Sequence, residues 1–264
     1  MYKQYSSLIC EEDEDRFMAD YWTKQWSALS TERQLSHIGS SELWPIFRRY
    51  LDPEQGIIEA GCGLAQWVVF LQQGGHNVVG VDISLPALVS AKRAFSDIEL
   101  LQCDVRRLPF PDGRFGVYMS LGVVEHLEGG PDEVLQEAVR VLRPHGLLLI
   151  AVPLHTWLTQ KAAVKRQKRE GNARFFQYLY TRRELEELLK KNGFATLEMH
   201  SWDCAYTMRC LFPNLYEKAS ESWRRASGLN KAAVVASKVM WRILGKAAPR
   251  GLCGHMQVAV AIRS

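Results

Sequence analysis

The chain has 264 residues, room for one α/β domain with additions and short for two full ones. Apolar residues make up 47% and charged residues 23%, which excludes wholesale disorder, and the longest apolar run, near "GLLLIAVPL", falls far below the ~18 residues that span a bilayer. Net charge is +4 but unevenly placed: residues 205–264 hold ten Lys or Arg against two acids, a net +8, which leaves −4 on the rest.

The opening "MYKQYSSLICEEDEDR" has no apolar h-region and turns acidic quickly, so no signal peptide is read there. Six cysteines include no C-x-x-C pair and no adjacent His cluster. Neither a metal site nor a disulfide framework is expected, and free thiols point to a cytoplasmic setting. Residues 12–50 read as helical and aromatic-rich, with Trp22, Trp26 and Trp44, until Asp52-Pro53 breaks the pattern. Strand and helix signals then alternate. "GIIEA", "NVVGVD", "IELLQCD", "FGVYMSL" and "GLLLIAVP" read as strands, and 64–73, 84–95 and 131–142 as helices. Ser84 is the expected N-cap of the second of these helices, with Pro86 behind it. Alternation at this spacing predicts a parallel sheet with helices on both faces. "TRRELEELLKKNGF" follows as an amphipathic helix stopped at Asn192-Gly193, and "FATLEMHSW" and "HMQVAVAIRS" alternate as half-buried strands do.

The stretch "IIEAGCGLAQWVVFL" places Gly61 and Gly63 between a strand and a helix. Without Cβ atoms such a loop turns sharply and lets a ligand approach its N–H groups, at the positive end of the next helix. Dinucleotides, S-adenosylmethionine and bare phosphate all bind loops of this kind. A dinucleotide fingerprint wants a third glycine three places on, where this chain has Gln66. Asp82, at the end of "VVGVD", is placed to accept ribose hydroxyls, and Asp104, at the end of the third strand, to accept from an adenine amino group.

Five blocks in register carry a family resemblance: "EAGCG", "GVDIS", "DVRRLPF", "SLGVVEH" and "VLRPHG". Over roughly residues 55–200 the chain resembles the class I S-adenosylmethionine-dependent methyltransferases of the bacterial small-molecule type. The resemblance implies an α/β, Rossmann-like doubly wound sheet of seven strands with the last antiparallel. With the patterns along the chain, the resemblance divides a single domain into an N-terminal helical cap over residues 1–52, a cofactor-binding core over 53–203, a helical insert at 204–253 and a last strand at 254–264. It implies that Glu59, Ala60, Gly61 and Gly63 hold the methionine portion, that Asp82 takes the ribose with Ile83 on the adenine, that Asp104 and Val105 bound the adenine, and that Ser120 and Leu121 lie along the cofactor toward the methyl group. Two departures stand out. "LAQW" replaces the usual small pair after G-C-G, which brings Trp67 into consideration at the site, and His145 stands where glycine is commoner.

Glu125 and His126, just past the fourth strand's carboxyl end, are the first base candidates, with His155 the second. Tyr178 and Tyr180 read either as lining an acceptor pocket or as core. The segment 229–247 sets Lys231, Lys238, Arg242 and Lys246 near one face of an amphipathic pattern, suited to an anionic membrane surface or to packing as a lid. No nucleic-acid partner is expected, because no aromatic and basic stripe of an RNA-reading module is present. The reading is methyl transfer to a small-molecule, glycan or lipid-linked acceptor. A catalytically silent cofactor-binding scaffold and a dinucleotide-dependent oxidoreductase are the alternatives, the latter disfavoured by Gln66 and Asp104.

Overall fold

Short apolar runs buried on both faces build the centre of the molecule. The computed structural model describes residues 1–6, 21–26, 29–39, 41–170, 174–203, 206–207, 210 and 254–264. After strand β1 (Tyr2–Ser6) come helices α1 (21–26), α2 (Thr31–Ile38) and α3 (Trp44–Phe47). The alternating part runs β2 (Ile57–Ala60), α4 (Gln66–Gln73), β3 (Val78–Asp82), α5 (Leu85–Ala94), β4 (Glu99–Gln102), β5 (Phe115–Leu121), α6 (Asp132–Val141) and β6 (Leu142–Pro153). Then follow α7 (Trp157–Glu170), β7 (Arg174–Leu179), α8 (Arg182–Lys191), β8 (Phe194–Trp202) and β9 (Met256–Arg263).

Seven strands form one sheet in the order β4-β3-β2-β5-β6-β9-β8. The pairs β2–β3, β2–β5, β3–β4 and β5–β6 are parallel, and the last strand enters antiparallel between β6 and β8, as the motifs imply. All four residues of β2 are buried, and β5 is buried through Ser120, which is why these strands read as continuous apolar runs rather than alternating ones. The order reverses between β2 and β5, and in open α/β sheets that switch point is where ligands sit, beyond the strands' carboxyl ends.

Three local readings gain detail. Ser84 occupies the N-cap of α5 with Pro86 in the first turn, but its hydroxyl makes no cap bond; it pairs with the Thr23 hydroxyl at 2.9 Å. His145 adopts φ 60°, the left-handed conformation that explains why glycine suits that turn. Gly193 at φ 83° ends α8, as Asn192-Gly193 predicts.

The chain forms two compact units. The larger comprises Cys10–Val152, Arg183–Met199 and Val258–Ser264, and the smaller Met1–Ile9, Pro153–Arg182 and His200–Gln257. The smaller unit holds a second sheet, absent from the sequence-based expectation, in which β1 pairs antiparallel with β7. The aromatic stripe of β7 is core there, with Tyr178 and Tyr180 both buried. The amphipathic pattern at 229–247 lies outside the described residues, as does most of the insert. Among the described residues no helix is long and apolar enough to cross a membrane.

Candidate active site

At the end of β2 the N–H groups of Gly61 and Cys62 both donate to the Val81 carbonyl, at 2.8 and 2.9 Å, which pulls the loop against β3. Gly61 and Gly63 have φ 80° and 53°, where side chains are strained. A Cβ on Gly61 would stand 2.3 Å from Val123 Cγ2, and one on Gly63 2.7 Å from the Trp26 ring. Ala65 caps α4 in a left-handed conformation and supplies no side-chain bond to the first N–H groups of that helix.

The acids predicted at the strand ends take different states. Asp82 is buried, and its carboxylate ties the loop to α5: Oδ2 accepts from Gly63 N–H at 2.7 Å and Oδ1 from Ser84 N–H at 2.8 Å. Burial pushes its carboxyl above the usual range, opposed by these N–H bonds. Glu59 is buried with Oε2 unpartnered among the described residues; burial, and then the charge of Asp82, push its carboxyl well upward. Asp104 differs. Its oxygens accept from the Arg106 backbone N–H at 2.8 Å and from the guanidinium at 2.6 to 3.1 Å. Burial raises its carboxyl, but the Arg106 bonds outweigh this and hold it below the ordinary value. The adenine role expected of Asp104 thus requires Arg106 to share or release it. Ile83, beside Asp82, is 36% exposed, a fit for a residue meant to meet a ligand ring. On β5, Ser120 is buried with its hydroxyl unpartnered among the described residues, followed by the half-buried Leu121. Ala60 is fully buried and Val105 half-buried.

The sequence reading missed what covers these groups. Helix α1 lays Trp26 against Gly63, joins Thr23 to Ser84, and sets the Trp22 ring edge-on to His126 at 4.9 Å. Trp67, which the sequence put forward as a site-shaping residue, instead packs in the core against Phe47 and Phe70. The tryptophan at the glycine loop is Trp26, and the richness of tryptophan before residue 50 was the signal available for it. Glu125 and His126 lie together in a 3₁₀ turn, both buried, with Glu125 Oε1 3.9 Å from His126 Nε2. His155, in the smaller unit, donates its backbone N–H to the Tyr180 carbonyl and stacks on Tyr2.

Residues 58–150 match the family model described as a methyltransferase domain. A probable S-adenosylmethionine-dependent methyltransferase of Mycobacterium tuberculosis is 28% identical over 134 residues, 47% of this chain and 48% of the relative. This chain thus spans about half the length of that relative. An uncharacterized methyltransferase of Synechocystis is 30% identical over 147 residues, 52% of this chain and 69% of the relative. The chain belongs to the S-adenosylmethionine-dependent methyltransferases. The fold agrees with the crystal structure of a Burkholderia thailandensis 1,6-didemethyltoxoflavin-N1-methyltransferase with bound 1,6-didemethyltoxoflavin and S-adenosylhomocysteine, at TM-score 0.57 and 15% identity over 99% of this chain and 96% of that one.

The residues present fit the cofactor of this methyltransferase family. Glu59 and Ser120 bring unpartnered polar atoms to the carboxyl ends of β2 and β5, and buried polar atoms left idle are costly. Asp82 already serves two N–H groups, yet a carboxylate offers about four acceptor positions, so capacity for hydroxyls remains.

Burial pushes the Glu125 carboxyl up to about 8. The folded chain holds this proton to higher pH than the unfolded chain does. Stability from this group is therefore greatest below the unfolded value of 4.5, falls as pH rises through the window up to about 8, and is level above it. Glu125→Gln removes the ionisation. The variant is expected to match the parent near pH 5 and to exceed it at pH 9 by on the order of 4 kcal/mol at most. Denaturant unfolding at the two pH values checks this; equal differences at both would show that Glu125 ionises normally.

Proposed function

We propose that this protein transfers the methyl group of S-adenosylmethionine to a small-molecule, glycan or lipid-linked acceptor. The observation that carries the reading is a pair of unpartnered buried atoms, Glu59 Oε2 and Ser120 Oγ, at the switch point beside a loop whose close contacts and positive φ require glycine. Family membership supports the same conclusion. The lipid-linked option rests on the basic, amphipathic pattern at 229–247.

When bound, the cofactor supplies a methyl carbon made electrophilic by its sulfonium. The chain's task is to align an acceptor, exclude water and take a proton where the acceptor is a hydroxyl. Trp22, Thr23 and Trp26 cover the loop and keep water from it. His126 is the proposed base. Burial raises the Glu125 carboxyl to about 8, so at neutral pH it carries little charge beside His126. Once ionised it would stabilise a protonated His126 and increase that residue's basicity.

The silent-scaffold reading has one observation in its favour: the candidate base His126 is buried, with the Trp22 ring edge-on against it. Incubation with methyl-labelled S-adenosylmethionine and separate panels of metabolites, glycans and lipid-linked intermediates separates the two. The proposal expects label in one acceptor class, and a loss of 10²- to 10⁴-fold in His126→Ala with cofactor affinity retained. Cofactor binding without label transfer to any panel would favour the scaffold.

A further inference from the structure

The buried polar atoms of the smaller unit that lack a hydrogen-bond partner among the described residues include Gln257 Oε1, His155 Nδ1 and Thr207 Oγ1. Gln257 and Thr207 are both 0% exposed. Unsatisfied groups at that depth are uncommon, and several in one neighbourhood point to a ligand or ordered water. One backbone group ties the neighbourhood together. The Tyr180 carbonyl accepts from His155 N–H at 2.8 Å and from Gln257 Nε2 at 2.7 Å. That second bond orients the Gln257 amide, since turning it over would set oxygen against oxygen, so the idle atom is a hydrogen-bond acceptor. Leu154 N–H donates to the carbonyl of His255, on whose ring Tyr206, the neighbour of Thr207, stacks at 4.0 Å. Tyr2 stacks on His155 at 5.6 Å.

The chemistry selects a class of ligand. Gln257 Oε1 can only accept. Burial lowers the His155 pKa, opposed by a bond with Gln160, so the imidazole is neutral near pH 7 and keeps one nitrogen as an acceptor. Such a set asks the ligand for O–H or N–H donors. Uncharged acceptors do not compensate the desolvation of an ammonium ligand, which favours neutral hydroxyls. Tyr2 and Tyr206 are half-buried and offer flat faces to a ring.

We propose that the smaller unit carries a binding site for a hydroxylated ring, held by Gln257 Oε1, His155 Nδ1 and Thr207 Oγ1 with Tyr2 and Tyr206 alongside. Ring binding goes beyond the methyl-transfer reading above and does not rest on it. Sugars and phenols share this chemistry, and the experiment separates them. Saturation-transfer NMR on the full chain, with methyl α-glucoside in one arm and catechol in the other, should show one probe bound. Thr207→Val keeps shape and His155→Phe keeps the stack on Tyr2, and each should weaken that probe at least tenfold while S-adenosylhomocysteine binds as before. Thr207→Val should also leave the melting temperature unchanged or raised, because it removes an idle buried hydroxyl. The proposal is overturned if neither probe binds, or if the bound probe is indifferent to both variants. Failure of these arms with S-adenosylhomocysteine still binding would leave the methyl-transfer reading standing.

Discussion

Asp82→Ala is expected to lose affinity for S-adenosylhomocysteine by about 2–3 kcal/mol, on the order of 100-fold, and to lose stability as well. The first effect follows from removing a charged acceptor for the ribose hydroxyls. The second follows from the geometry. Gly63 and Ser84 both donate to this carboxylate, and the truncation strands two buried N–H groups at about 1–3 kcal/mol each. A buried side chain that clasps the glycine loop to α5 is part of the fold's hydrogen bonding, not only of the ligand site. Asp104→Ala is the contrast. Its partner Arg106 remains partly exposed and can be solvated, so little stability should be lost. Titration calorimetry and urea unfolding of both variants test the distinction. Equal affinity in a folded Asp82→Ala protein would remove the ribose role.

Gly61→Ala should be the most destabilising single methyl in this region. At φ 80° the alanine pays roughly 1–2 kcal/mol of backbone strain, and its Cβ would sit 2.3 Å from Val123 Cγ2 and 2.9 Å from Cγ1, where overpacking adds about 1–3 kcal/mol. The sum, about 2–5 kcal/mol, is a large part of the 5–15 kcal/mol that typically holds a domain together. Relief by moving the loop would carry Cys62 and Gly63 off Val81 and Asp82, so cofactor affinity should fall with stability. Gly75→Ala supplies the control: its φ is 86°, but nothing lies within 4 Å of the added carbon, so only the same strain of about 1–2 kcal/mol is expected, without the overpacking. Similar losses in the two variants would show that Val123 does not hold the loop.

The parallel core was legible because its strands are short, apolar and spaced by helices, and because the acids and glycines fall at strand ends where chemistry needs them. Glu59, Gly61, Gly63, Asp82 and Ser120 all emerge at the carboxyl ends of β2, β3 and β5. Contacts made at a distance were less visible. The pairing of Tyr2 with Leu179 joins residues from opposite parts of the chain, and no local period announces β1 as its partner. Thr23 and Ser84 lie 61 residues apart, so the closure of α1 over the loop had no sequence signature beyond an excess of tryptophan. Ser84 shows the same limit on a smaller scale: its position as N-cap was readable, whereas the diversion of its hydroxyl to Thr23 depends on a helix from elsewhere. Arg106 lay only two residues from Asp104, yet spacing alone does not say that its guanidinium folds back on that carboxylate.

The most direct measurement of the central claim is a calorimetric titration of the unaltered chain with S-adenosylhomocysteine and, separately, with NAD. A ligand that binds only the folded state also raises the melting temperature by linkage, so the two readouts check each other. The account predicts saturable binding and a raised melting temperature with S-adenosylhomocysteine and neither with NAD. Binding of NAD without binding of S-adenosylhomocysteine would contradict it.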